Sequence, residues 1–365
     1  MKYNPNKHIR IIIIVLAVCF AVVYVSLLAP VINKSDNPLQ ELLILAVIFV
    51  FIKVATKILY VIYEIGYLVF GLFTGYEFVS FQVGHMFVTT ENGKIRFSHA
   101  VNSVIACTMD RPADRNNHAY FLFNAGGIIL IFLTIVICHI LLPLVKSDVV
   151  ILFLGMMAYT GWTNGLSRAI PAVFDYPNDG MRILELRKYP SNIEVVMKNM
   201  ELIRKQQEGL RIRDADDSLI VTDEEILHNG YTGSIGIVVA VTKLMDRHEF
   251  DKAKELIERI RQGDYLIAPL YLNFKELDYR FIQMLEGTYN EDEESTDFKE
   301  FLKKKKSFNN VQRYLFAKAL YLNDETMRQE AEKNMDKISK TNPYKADMET
   351  EIELMNIARE RLTRH

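Results

Sequence analysis

Thiols are scarce: Cys19, Cys107 and Cys138 are the three cysteines in 365 residues. Their number is odd and no Cys-x-x-Cys occurs, so neither a disulfide framework nor a cysteine zinc site is supported. Cys19 and Cys138 lie inside apolar runs and read as small apolar fillers. No dense basic patch with interleaved aromatics appears, which argues against nucleic-acid binding. Charge itself is scarce in one half. Residues 1–180 hold 12 Lys and Arg and 10 Asp and Glu, against 31 and 35 in residues 181–365. The first part therefore reads as lipid-embedded and the second as water-exposed, and the net charge of −2 averages over two environments.

What the first part has instead is long apolar runs. Ile11 to Val31 is 21 residues without a charge, and a bilayer core takes about 20 helical residues. The run is longer than the ~7–15-residue core of a signal peptide, so it reads as an uncleaved first span. Further runs cover Leu39–Phe73, Ala119–Leu142 and Val149–Ile170. The second is too long for one perpendicular span and requires a tilt, a break or an extension beyond the bilayer. Lys2, Lys7 and Arg10 precede the first run, and Lys94, Arg96, Arg111 and Arg115 lie between the second and third. By the positive-inside rule both termini are expected in the cytoplasm of a multi-pass cell-membrane protein.

Between the second and third runs the period changes to that of strands. Phe78–Val83, Met86–Thr90 and Ile95–Phe97 are rich in β-branched and aromatic residues, and Asn92-Gly93 lies among them. Asn-Gly suits a type I′ turn, which needs positive φ twice. A β-hairpin over about residues 76–99 is expected at the cytoplasmic membrane face, with an edge that is covered, wet or free to accept a strand.

From Asp179-Gly180 onward the pattern is helical. Helices are expected over 193–207, 231–246, 250–261, 266–285, 299–305, 311–322, 324–340 and 347–362. The stretch Arg247–Ala253 resembles the turn of a tetratricopeptide-type pair, although no 34-residue repeat is carried through. Lys303–Lys306 reads as a solvated helix end, with lipid headgroups as the alternative contact. The fold class is thus mainly α: about four spans with an inserted hairpin in residues 1–180, then a cytoplasmic helical domain with tetratricopeptide-like pairs in 181–365.

Late in the second run stands Tyr63-Glu64-Ile65-Gly66-Tyr67. Further on come Asn124-Ala125-Gly126-Gly127, Asn164-Gly165, Pro171 and Pro177-Asn178-Asp179-Gly180. With the hairpin, this ordered set resembles the site-2 protease family of intramembrane zinc metallopeptidases over about residues 40–215. The family carries His-Glu-x-x-His on a helix, where two histidines at i and i+4 share a face and bind zinc and the glutamate is the general base. Here Glu64 is kept and both histidine positions are tyrosine. Asp179 matches the third ligand, while Ile131 stands where the family often has an asparagine.

A phenol has a pKa near 10, and zinc prefers imidazole, thiolate or carboxylate. Only Asp179 remains of the ligands the resemblance implies, and Glu64 has no metal-bound water to deprotonate. His85, His99, His118 and His139 have no helical spacing to another histidine and read as capping, interfacial or packed residues. No cofactor is expected; zinc enters only if another ligand set forms. Lys53, Lys57 and Glu64 share a helix face inside the second run. One reading joins Lys57, Glu64 and Asp179 in a polar network walled by Tyr63 and Tyr67, with Asn124, Gly126, Gly127 and Asn178 around the old metal cavity. The other has the lysines snorkelling and Glu64 as a leftover.

The expectation is a catalytically inactive relative that binds an extended membrane peptide, or a partner such as an active protease, in a lipid bilayer. An active zinc metalloprotease with an unusual ligand set is the alternative. A small-solute carrier built on Lys53, Lys57 and Glu64 is disfavoured, because four spans without an internal repeat do not form the usual carrier.

Overall fold

A computed structural model describes residues 6–33, 37–91, 94–112, 120–342 and 344–363. The turn residues Asn92 and Gly93, as well as Lys2, Arg115 and His118, lie outside the described residues. The chain forms two compact units: residues 1–78 with 105–184, and residues 79–104 with 185–365.

The first unit contains α1 (Asn6–Ile32), α2 (Pro38–Phe73), α3 (Tyr120–Leu141) and α4 (Asp148–Ala169). All four are long and apolar enough to cross a membrane. Their surfaces carry exposed large side chains, among them Val22 at 62%, Leu42 at 64%, Phe49 at 61% and Val149 at 60%. Such faces suit lipid and would be costly in water. Asn37 caps α2 by accepting the Leu39 amide, and Pro38 opens its first turn, where a missing N–H costs nothing. From there α2 runs unbroken for 36 residues, about 54 Å. Of the three ways to fit its length, a break is therefore not the one used.

The helix crossings are built on glycine. A Cβ on Gly66 of α2 would lie 2.5 Å from the Gly126 carbonyl oxygen, and one on Gly127 of α3 would lie 2.4 Å from the Tyr63 ring. Gly161 and Gly165 of α4 sit likewise against Ile135 and Ile131 of α3, and Gly155 against Leu28 of α1. Without a hydrophobic drive between helices in lipid, close backbone approach is what makes them associate. Ile131 is buried in this packing.

Strands β1 (Glu77–Glu91) and β2 (Lys94–Asp110) form one two-stranded antiparallel sheet. The hairpin is longer than the expected 76–99, because Ala100–Asp110 continues β2 alongside the start of β1. Pairing across a hairpin is decided by both strands, and reading one strand alone stops too early. His85 Nδ1 lies 2.9 Å from the Ala100 carbonyl, which sets the two strands opposite each other there. Gly84, at φ +63°, takes a left-handed conformation inside β1 that only glycine adopts cheaply.

The second unit holds the outer part of the hairpin and α6 (Asn192–Gln207), followed by α7 (Glu224–Leu227), α8 (Gly230–Gly233), α9 (Ile235–Asp246), α10 (Phe250–Gln262) and α11 (Pro269–Glu286). It continues with α12 (Thr296–Lys304), α13 (Asn309–Leu322), α14 (Glu325–Thr341) and α15 (Lys345–Leu362). A short α5 (Asp179–Lys188) leads into it. The expected helix 231–246 is broken in two at Ser234, because the Glu185 carboxylate takes the Tyr231 and Thr232 amides at 2.9 and 2.8 Å and the Ser234 hydroxyl donates to Leu266. Gln207 donates to Ser80 of β1 and to the Tyr344 hydroxyl, at 3.2 and 3.0 Å.

Charges are buried in the core of this unit. Arg313, at the middle of α13, donates to Asp278 of α11 at 2.6 Å and meets Glu351 of α15 at 3.0 Å; Lys275 reaches Asp278 at 2.8 Å. Breaking one partner of such a group leaves an uncompensated buried charge, which generally costs about 3–5 kcal/mol. Burial pushes Glu351 from 4.5 up to about 7, against the pull of Arg313, and pushes Asp347 up to about 6, helped by Asp246. Below about pH 3.8 both carboxyls are largely protonated whether the chain is folded or not, and their full contribution is present. Between there and about pH 7 the unfolded chain ionises while the folded groups hold their protons, so stability falls as pH rises. Hydrogen exchange corrected for intrinsic rates should show α13 and α15 less protected at pH 7.5 than at pH 5, and Glu351→Gln should remove much of that difference.

Candidate functional site

The site lies on the glycine-built contact between α2 and α3. Tyr63 and Tyr67 stand one turn apart on the buried face of α2, with ring centroids 5.2 Å apart and planes perpendicular. Gly66 and Gly127 allow α3 to lie directly against this face. Phe123 of α3 packs edge-on to Tyr67 and stacks on Tyr76 at 4.2 Å. From the side of α4, Arg168 places its guanidinium 3.5 Å from the centroid of the Tyr63 ring, a cation–π contact.

Asp179 enters from the segment after α4. Asn178 holds that segment in shape: its side chain donates to the Ser167 and Ile170 carbonyls, both at 2.7 Å, and accepts the Ala172 and Met181 amides at 3.0 and 2.9 Å. Gly180 follows because a Cβ there would lie 2.1 Å from the Ala169 carbonyl oxygen. The result is a carboxylate, 3% exposed, aimed at α2. The Tyr63 hydroxyl donates to Asp179 Oδ2 at 2.5 Å and the Tyr67 hydroxyl donates to Oδ1, while the two hydroxyls lie 3.1 Å apart. Each carboxylate oxygen thus receives one phenol.

Glu64 is turned about 100° from Tyr63 around the helix and takes no part in this triad. Its Oε2 accepts the backbone amide of Cys107 in β2 at 2.8 Å. Lys53 and Lys57 share the Glu64 face but are exposed; Lys53 lies over the Phe49 ring at 5.3 Å. The expected network of Lys57, Glu64 and Asp179 is therefore not the one formed, since Lys57 is two turns away along α2 and only the tyrosine face meets Asp179. Asn124 is buried beside the site, but its side chain donates to the Tyr120 carbonyl of its own helix. Two contributors were not singled out from sequence, Arg168 and Cys107. Arg168 had a usable signal: it is the one charge in the run 149–170, and a lone ionisable residue in a span is a functional candidate by default. Cys107 contributes a backbone amide, for which side-chain identity carries no signal.

The donor set does not fit a catalytic zinc. Such a site needs three protein ligands and an open position, and a phenol must lose its proton to bind metal. Here both phenols use their protons to hold both oxygens of the only carboxylate. Among the described residues no group of three His, Cys, Asp or Glu is placed to hold a metal. His85 and His99 stack on each other in the hairpin, and His139 bonds to Tyr24 and to the Ile135 carbonyl.

The triad can act as a lock between α2 and the segment after α4. Tyr63→Phe and Tyr67→Phe should each lower the thermal stability of the detergent-solubilised protein, by about 1–3 kcal/mol for a lost bond to a buried charge. The double variant should depart from the sum of the two, because both bonds share one acceptor; aggregation temperatures of the four proteins test this. No match is found for this chain among protein families, curated proteins or solved structures.

Proposed function

We propose that this chain is a catalytically inactive, site-2-protease-like membrane protein that binds an extended membrane peptide or a partner protein. One observation carries the reading. The three positions to which the resemblance assigns metal ligands, Tyr63, Tyr67 and Asp179, converge although Asp179 is 112 residues beyond Tyr67. In place of a metal centre they form a closed phenol–carboxylate triad. Chemistry that needs zinc is lost with the ligands, whereas capture of a strand by main-chain pairing does not need a metal. The hairpin at the membrane face would supply the edge, and the α9–α10 pair, as a tetratricopeptide-like unit, would dock a partner such as an active protease. In this reading the protein is multi-pass in the cell membrane with both termini cytoplasmic, and reporter fusions at residues 1 and 365 should both report the cytoplasm.

Zinc per chain in the purified protein is the decisive measurement. The expected outcome is an empty parent and about one zinc per chain in the Tyr63→His, Tyr67→His double variant. Near-stoichiometric zinc in the parent, or chelator-sensitive cleavage of a membrane peptide by it, would overturn the reading in favour of an active protease with an unusual ligand set.

A further inference from the structure

We infer that the exposed face of α2 carrying Lys53 and Lys57 docks a transmembrane helix of a different protein, one that bears an aspartate or glutamate near the middle of its span. Such docking goes beyond the reading above and does not depend on the fate of the zinc ligands. Phe51 of α2 meets Phe153 of α4 with ring centroids 5.4 Å apart, and Leu59 lies beside Gly161. Both pairs are 102 apart in residue number, so the two helices run parallel in register. Lys57 therefore stands level with Tyr159, halfway along α4. Its Cα is about 15 Å from either end of that helix, half of a hydrocarbon core about 30 Å thick. Lys53 is one turn nearer the Asp148 end.

Both lysines are exposed, and among the described residues neither forms an ion pair. Helix side chains lean toward the N-terminus. Lys53, over the Phe49 ring at 5.3 Å, leans toward its nearer boundary and can snorkel to it. Lys57 leans the same way, but its four-carbon stem is far shorter than the distance left. A phospholipid phosphate thus lies out of its reach. An ionisable side chain at this depth faces protein or water and takes a partner. The acid on its own helix face, Glu64, is two turns away and accepts the Cys107 amide. A second copy does not supply the missing acid, because copies side by side in one membrane hold each residue at its own depth. The acids of α1 to α4 are Glu41, Glu64 and Asp148. Glu41 lies about 18 Å before Lys53 along α2, Glu64 about 10 Å beyond Lys57, and Asp148 opens α4. Two copies meeting here would set ammonium against ammonium. Around the lysines the face is apolar, with Phe49, Val50, Val54 and Ile58 exposed. That suits a helix, which satisfies its own backbone in lipid. A carboxylate lodged between two ammonium groups one turn apart can accept charge-assisted bonds from both.

The test uses the full chain in phosphatidylcholine nanodiscs and fluorescent Leu/Ala helices of about 22 residues, with Glu, Gln or Lys at the centre. The expected result, read by energy transfer, is association of the Glu-centred helix about tenfold tighter than the Gln-centred one. The Lys53→Leu, Lys57→Leu double variant, which only adds apolar surface toward lipid, should bind the two alike. The Lys53→Leu, Lys57→Glu variant should instead prefer the Lys-centred helix, and that reversal shows the loss in the first variant to be one of charge rather than of folding. Equal affinity of the parent for Glu- and Gln-centred helices, or a preference for Glu that survives the double leucine variant, would overturn the docking face. A preference that vanishes when phosphatidylglycerol is added to the discs would assign the lysines to lipid headgroups and overturn it as well.

Discussion

The membrane unit depends on how closely α2 and α3 approach. Gly66 meets the Gly126 carbonyl and Gly127 meets the Tyr63 ring at distances that leave no room for a methyl group. This one contact decides which face of α2 turns inward. It buries Tyr63 and Tyr67 rather than Glu64, it brings Phe123 against Tyr67, and it leaves Lys53 and Lys57 on the outside. Dispersion and backbone fit are what lipid leaves available for helix association. These glycines therefore decide which polar groups of α2 turn inward.

Once the tyrosines face inward, their hydroxyls need partners, since an unsatisfied buried hydroxyl is costly. Asp179 answers that requirement and receives two charge-assisted bonds in return. The same carboxylate would otherwise be a buried charge without compensation. Asn178 makes this possible by bonding four backbone groups of the turn around Pro171–Pro177. The triad is thus mutually stabilising. Arg168, above Tyr63, adds a positive charge where the carboxylate is negative.

The helical unit solves burial differently. Its core mixes aromatic and aliphatic packing with the buried Arg313, Asp278 and Lys275, and with Glu351, which is half-buried beside Arg313. Replacing such a set by apolar residues of the same size is often neutral or stabilising, whereas removing one partner leaves a buried charge uncompensated. Glu185 acts similarly at the start of the unit, where one carboxylate takes two amides and the Thr232 hydroxyl and so breaks a helix in two.

Much of this was legible without coordinates. Apolar runs of membrane length fix four helices through hydrocarbon thickness alone. The β-branched stretch with Asn-Gly signals a hairpin, and the i, i+4 spacing of Tyr63 and Tyr67 puts them on one face. Local periodicity is enough for such features, because each is set by interactions a few residues apart. It was not enough for the end of β2, where strand length depends on a partner. Nor did it separate Glu64 from Tyr63, adjacent residues that the α2–α3 contact sends to different neighbours. The residue types at the site were determined by the sequence, but the pairing of Tyr63 and Tyr67 with Asp179, of Glu64 with Cys107, and of neither with Lys57 was decided by tertiary packing. Backbone approach at three glycines, not side-chain chemistry, selects which polar groups can meet.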